Sequence, residues 1–351
     1  MRTKKAAEAA PIIPSANIQQ NFDKSKVMAA DFDLKEEYQR LLDSQEPQDV
    51  GVFRVRTANA TIKEAANRPN PTPLWLELWY EGEISCLFSD SNLGKSLYAV
   101  MIGADIARRG IRVLYFDFEL SDKQFQMRYT DKNTNILARF PDNFFRVEIN
   151  REALDADFEN RLMQDIESAA LEIGAKVVIV DNITWLCKDS EKGTDAVSLM
   201  RQFMRLKFKY GWSLLIIAHT PKRTMTNPIT QNDLGGSKKL FNFFDSVFAV
   251  GQSAKDPALR YVKQVKCRYG SFKYDKDNVL IYAIEQIDSF TQFVFQGFAT
   301  EREHLKEPSD KDINDRVAKA KELAARGWTQ RQIAAELGVS AKSVNKYLNK
   351  K

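Results

Sequence analysis

Eight consecutive residues, Ser89-Asp90-Ser91-Asn92-Leu93-Gly94-Lys95-Ser96, occupy the pattern G-x-x-x-x-G-K-[ST] between an apolar run and a helical stretch. That spacing suits one kind of chemistry. Backbone N–H groups of such a loop and of the helix it opens face phosphates, and glycine admits a close approach. Lys95 then supplies charge to the β- and γ-phosphates of ATP, and the Ser96 hydroxyl can ligate Mg²⁺. Ser89 stands where the pattern has its first glycine, which alters the entry turn of the loop.

Two carboxylates suit the same chemistry. The run Lys176-Val177-Val178-Ile179-Val180-Asp181 reads as a buried strand ending in an acid, placed to hold Mg²⁺ through its water shell. A strand-end Asp that merely caps a turn is the plainer alternative. Glu119 closes the run Tyr115–Glu119 in the strand after the loop's helix. Open α/β sheets bind ligands at that edge, so Glu119 is placed to orient and deprotonate an attacking water.

These residues need elements to carry them. Apolar runs at Ile84–Phe88, Val113–Phe118, Val177–Asp181, Leu214–His219 and Ser246–Val250 predict strands. Helical stretches at Lys95–Arg109, Asp122–Asn135, Asp155–Ile173 and Thr194–Tyr210 separate them. Continuous β-branched strands alternating with helices predict an α/β domain whose mostly parallel sheet is covered on both faces. Arg260–Cys267, Val279–Ile284 and Thr291–Phe298 then read strand-turn-strand and would add to the sheet or form an antiparallel edge.

Flanking segments complete the organisation. Residues 1–70 read as an N-terminal arm with one short helix at Asp33–Leu42, ending in the proline-rich loop Arg68–Pro73. Residues 71–300 form the α/β domain, 301–315 a charged linker, and 316–351 a small all-α module. Hydrophobic residues make up 44% of the 351, enough to build a core. No apolar run approaches the roughly 20 residues of a membrane span, and Met1–Ala10 does not introduce a signal peptide. Cys86, Cys187 and Cys267 lack C-x-x-C spacing and read as free thiols of a reducing cytosol.

From Glu119 the chain reads Glu119-Leu120-Ser121-Asp122-Lys123-Gln124-Phe125-Gln126-Met127-Arg128. This resembles the E-M-S-x-x-Q-L-x-x-R segment of DnaB-type replicative helicases, and the plasmid-encoded RepA-type helicases with little beyond a RecA-like core are similar. The resemblance spans Leu76 to about Phe272. It implies a RecA-like fold with Glu119 as catalytic base, and in DnaB-type proteins a non-glycine first loop position is common. It also implies that His219, ending Leu214–His219, senses the γ-phosphate. The stretch Lys222–Lys239, with Lys222, Arg223 and Lys238, resembles the loop that faces single-stranded DNA in the central channel of hexameric relatives; a plain surface loop is the alternative. Val265-Lys266-Cys267-Arg268-Tyr269-Gly270 is similar to the K-x-R-x-G motif, in which Lys266 and Arg268 would reach a neighbouring subunit's nucleotide. That implies a homo-oligomer, a hexamer by analogy, although a basic strand end facing solvent is also compatible.

The last 36 residues carry nine Lys and Arg against Glu322 and Glu336, a net +7 within a chain of net charge +5. Thr329 and Gln332 predict a capping box, Gly338 a turn, and Ser340 the cap of a further helix. This arrangement resembles the helix-turn-helix of resolvases and bacterial regulators, with a protein-binding helical bundle as the alternative. Its second helix would present Ala341, Lys342, Ser343, Asn345 and Lys346 outward, suited to duplex phosphates and base edges. The leading expectation is a DNA-dependent ATPase, a ring-forming helicase or motor serving a plasmid or mobile element. A DNA-binding regulator that uses nucleotide as a slow switch is the rival, and a filament-forming or partner-loading ATPase a third reading.

Overall fold

The computed structural model describes residues 48–150, 152, 158–186, 193–220, 223–234 and 238–350. The helix expected at Asp33–Leu42 and Cys187 lie outside them. The chain divides into two units, Met1–Asn70 and Pro71–Lys351. In the first, β1 (Gln48–Val50) and β2 (Phe53–Val55) pair antiparallel and precede α1 (Ala58–Ala66). Thr57 caps that helix by accepting from the Ala60 N–H at 3.1 Å.

The second unit opens with the small antiparallel pair β3 (Pro73–Trp75) and β4 (Trp79–Tyr80). Then follow β5 (Ile84–Ser89), α2 (Lys95–Arg108), β6 (Val113–Asp117), α3 (Asp122–Arg128), β7 (Phe144–Val147) and α4 (Phe158–Ile173). After these come β8 (Val177–Asp181), α5 (Ile183–Leu186), α6 (Gly193–Tyr210), β9 (Ser213–His219), α7 (Lys238–Phe241) and β10 (Ser246–Gln252). The order β13-β12-β11-β10-β5-β9-β8-β6-β7 makes one nine-stranded sheet, with β11 (Leu259–Cys267), β12 (Val279–Ile287) and β13 (Phe290–Ala299) at one end. From β10 to β7 every pairing is parallel, and β11, β12 and β13 continue it antiparallel.

Alternation explains why the parallel strands read as unbroken apolar runs. Successive side chains leave a strand on opposite faces, and both faces here are covered. Val178, Val180, Leu214 and Ile216 pack with Leu199, Met200 and Phe203 of α6 and Ile166 of α4. Val177, Ile179, Leu215 and Ile217 pack with Tyr98, Ile102 and Ile106 of α2. The expected α/β architecture is therefore present, including helices on both faces and an antiparallel extension.

One boundary moved and one strand was not expected. The helix expected over Asp122–Asn135 stops at Arg128, because Asp131 turns its carboxylate onto the N–H groups of Asn133 and Thr134. Such side-chain bonds offer the backbone an alternative to helix. The strand β7 lies at the sheet edge with no fully buried residue, so it lacked the apolar run that marks its neighbours.

The segment read as a linker carries a 3-10 turn at Glu301–His304 and then the start of α8 (Asp310–Ala325). With α9 (Gln330–Leu337) and α10 (Ala341–Leu348), α8 closes a small core of Ala320, Leu323, Ile333, Ala334 and Val344. Thr329 and Gln332 form the expected capping box, and Gly338 ends α9 in the left-handed conformation.

Gly251 marks the tightest approach in the sheet. It pairs with Tyr261 across β10 and β11, and a Cβ there would fall inside the buried Tyr261 ring. Gly251→Ala should therefore destabilise the fold by about 1–3 kcal/mol, the usual cost of overpacking. Equilibrium urea unfolding measures it, and an unchanged midpoint would show that Tyr261 has room to move aside.

Candidate nucleotide site

The loop between β5 and α2 is shaped by its backbone. Asn92 and Gly94 both adopt left-handed conformations, at φ 64° and 90°. A Cβ on Gly94 would press to 3.1 Å on Ile284 and Phe293 of the β12–β13 hairpin, and its φ of 90° strains any other residue there. Gly94 caps α2 without any side-chain bond, and the first turn of that helix holds no acid. The N–H groups and the positive helix end are thus left for an anion. Ser89 is buried and turns its hydroxyl back onto the carbonyl of Asp90 at 2.9 Å.

Strand register gathers the polar groups around this loop. Asp117 pairs with Asp181 across β6 and β8, and Ser89 pairs with His219 across β5 and β9. A cavity of about 390 Å³ results, lined by Asn92, Lys95, Ser96, Glu119, Arg128 and His219 among others. A larger cleft of about 750 Å³ also borders Glu119, but Asp117, Asp122, Glu148 and Glu152 line it against the single cation Lys123. Carboxylates repel phosphates, so the smaller cavity, with its lysine and helix N-terminus, is the one suited to a polyphosphate.

The two carboxylates are tuned in opposite directions. Asp181 is 1% exposed, and burial pushes its carboxyl up to about 6, against the neighbouring Ser96 and Tyr115 hydroxyls that favour the charge. Its Oδ2 accepts from the Tyr115 hydroxyl at 2.7 Å, while Oδ1 is buried with no hydrogen-bond partner among the described residues. An orphaned carboxylate oxygen beside a loop serine fits a cation. Among the described residues no cluster of three or more His, Cys, Asp or Glu could hold a metal. An ion here would take its remaining oxygens from phosphate and water, as Mg²⁺ does.

Glu119 moves the other way. His219 beside it, together with Lys95 and the Asn182 amide, holds it below the ordinary carboxylate range, against burial. Burial lowers Lys95, while Asp181, Glu119 and Asp90 pull it back up. Burial likewise raises Asp90, opposed by Arg223 and Lys95.

Other expected residues lie elsewhere. Arg268 sits at the end of β11, where Ser246 pairs with both Ser85 and Cys267. That is the start of β5, one strand length from the loop, or roughly 17 Å for six residues. Arg268 binds Asp245 Oδ1 at 3.0 Å and the Asn242 carbonyl at 2.8 Å. Lys266 donates to the Phe241 carbonyl at 2.9 Å and lies over that ring. Neither touches this chain's own loop. Arg223 turns inward and donates to the Asn227 carbonyl at 2.6 Å. Lys222 lies outside the described residues, as does the Lys238 side chain. On α10, Lys342, Asn345 and Lys346 are exposed, whereas the Ser343 hydroxyl is engaged with Ser340 at 2.9 Å.

Two groups at the site were given no role by the sequence. Arg128 contributes from the last turn of α3. Asn182 is 4% exposed and its amide meets both Glu119 and His219. Its one signal was a polar amide directly after the strand-end acid.

Comparison with known proteins bears on the fold and on the loop it carries. Residues 53–225 match the family described as "AAA domain". Over 195 residues the chain is 26% identical to the protein named DNA repair protein RadA of Halalkalibacterium halodurans. That match covers 54% of this chain and 37% of the relative, so the chain spans little more than a third of the length of the relative it matches. Fold, loop and both matches support a RecA-like P-loop ATPase. No helix among the described residues is long and apolar enough to cross a membrane.

The buried Asp181 of this site makes a signed prediction. A carboxyl whose folded pKa exceeds its unfolded value binds more protons when folded, so stability falls as pH rises through that window. For Asp181 the window runs from its ordinary 3.8 to about 6, a cost of roughly 3 kcal/mol above it. In EDTA without nucleotide, Asp181→Asn should raise the thermal midpoint near neutral pH but not at about pH 4. Equal midpoint changes at both pH values would show that the carboxylate charge is not the source.

Proposed function

We propose that the chain is a DNA-dependent ATPase that works as a ring-forming motor, of the helicase kind, on a plasmid or mobile element. One observation carries the hydrolytic part of the reading. Glu119 is held charged, beside His219 and Asn182, on the rim of the cavity into which Lys95 and Ser96 project. A pure nucleotide switch has little use for a positioned base. Lys95 would neutralise the β- and γ-phosphates, while Ser96 and Asp181 would hold Mg²⁺, which supplies charge neutralisation there. Glu119 would take the proton of the attacking water, and His219 would report the state of the γ-phosphate.

The oligomer is argued from Arg268. Half-exposed and a strand length from its own site, it serves catalysis only if it completes a neighbour's. DNA is argued from three sources: the basic C-terminal helices, the exposed Lys342, Asn345 and Lys346, and the relative named for DNA repair. On this reading duplex DNA is held by α10, and single-stranded DNA by the loop between β9 and α7.

Steady-state ATP hydrolysis with and without single-stranded DNA tests the whole. DNA should stimulate the wild type, and Lys95→Ala or Glu119→Gln should cost about a hundredfold or more. Arg268→Ala should fall by a comparable factor, and mixing it with Lys95→Ala subunits should restore part of the rate. Recovery on mixing arises because an intact site then meets an intact arginine. Tight ATP binding with negligible turnover, indifferent to DNA and to Arg268→Ala, would leave the nucleotide-switched DNA-binding regulator instead.

A further inference from the structure

We propose that Asn182 is a positioning residue that locks Glu119 and His219 into one unit and acts on hydrolysis rather than on nucleotide binding. The proposal rests on the hydrolytic reading of the site. Asn182 directly follows the strand-end acid Asp181, yet its side chain crosses to the ends of two other strands. Its Oδ1 accepts the Thr184 N–H at 2.9 Å. That bond decides which way the amide points, because a flipped amide would lose it and would turn a carbonyl oxygen onto a carboxylate. Nδ2 therefore faces the site, and it has two hydrogens to give. One goes to Glu119 Oε1 and the other to His219 Nε2 at 3.0 Å.

Three consequences follow from this one amide. First, His219 Nε2 meets the amide nitrogen at 3.0 Å, closer than its 3.5 Å approach to Glu119 Oε1, so the ring is seated against both groups at once. Second, the rotamer of Glu119 is fixed through Oε1, while Oε2 takes neither bond and is the oxygen left for a water. Third, the base and the sensor cannot move independently, since both share a donor group that is 4% exposed.

The step this arrangement serves is balanced without further reagents. A water oxygen bonds to the γ-phosphorus as the bond from that phosphorus to the bridging oxygen breaks, its electron pair leaving with the diphosphate. The water proton passes to Glu119. A carboxylate misplaced by about an ångström costs roughly a hundredfold in such a transfer, and that is the scale on which Asn182 acts.

The test is steady-state and single-turnover ATP hydrolysis by the full chain. Asn182→Ala should lower kcat by about tenfold to a hundredfold while KM for ATP and the affinity for a fluorescent ATP analogue stay within about twofold. Asn182→Ser, with one hydroxyl hydrogen in place of two amide hydrogens, should fall between, and it carries the test if the alanine variant does not fold. In a Glu119→Gln background, Asn182→Ala should add little, because the group it positions is already gone. Either variant with wild-type kcat overturns the proposal. So does a loss shared equally between kcat and ATP affinity, or a full multiplicative loss in the Glu119→Gln background, both of which mark a merely structural role. A wild-type chain that binds ATP without turning it over instead overturns the hydrolytic reading on which this rests.

Discussion

The site depends on one constraint, the register of the parallel strands β6, β8, β9 and β5. Their hydrogen-bond ladders pair Asp117 with Asp181 and Ser89 with His219, so the apolar runs give way to polar residues along a common edge. A slip of one residue would send every side chain to the opposite face. Here such a slip would exchange the packing against α2 for the packing against α4 and α6, since both faces are buried. Burial on two faces thus fixes the edge on which Lys95, Asp181 and His219 meet, while Glu119, two residues beyond β6, is held there by bonds to Asp117 and Asn182.

Electrostatics then divides the labour at that edge. Two carboxylates within one site are distinguished by environment, a general route to distinct roles. Asp181 lies at the bottom, desolvated, with one oxygen bound to Tyr115 and the other unmet. Its charged form is costly until something cationic arrives. Glu119 lies at the rim, about a third exposed, where donors and Lys95 favour its charge. The buried carboxylate suits a metal ion and the rim carboxylate suits a proton in transit. Lys95 responds to the same balance, since burial alone disfavours its charge and three acids restore it.

Much of this was legible in the sequence, for a physical reason. Val177–Asp181 and Leu214–His219 announce themselves because fully buried strands must be apolar throughout, and the loop at Gly94-Lys95-Ser96 because phosphate binding tolerates few residue types. The missing parts follow from chain topology or from side-chain bonds that periodicity does not record. Asn182 is next to Asp181 in sequence, but its partners are 63 and 37 residues away; only the strand order β9-β8-β6 brings them together. Arg128 lines the site because α3 ends there, and α3 ends there because Asp131 captures two backbone N–H groups. The distance of Arg268 from its own loop was hidden for the same reason, since an antiparallel turn reverses which strand end faces the phosphates.

The segment leaving His219 shows how far the polar edge extends. Arg223 gives its guanidinium to the Asn227 carbonyl, and its charge is felt at Asp90 in the phosphate loop. Ile229 is held on both sides of its peptide, its N–H by Glu301 at 2.7 Å and its carbonyl by Lys263 at 2.8 Å. Arg316 of α8 binds the Thr226 carbonyl at 3.1 Å, the Thr226 hydroxyl at 2.7 Å and the Asn227 side chain. The Lys306 N–H donates to the Met225 carbonyl at 3.0 Å. Glu301 is 1% exposed, and breaking its pairing with Lys263 would strand a buried charge, a costly outcome. The bonds at Ile229 are therefore the stiff end of this segment, and those to the more accessible Arg316 the softer one. Rearrangement of residues 223–227 would strain the contacts with α8 before it disturbed the anchor on β11. Residues 223–227 are thus joined to α8 through a few identified hydrogen bonds, with Asn227 shared by Arg223 and Arg316.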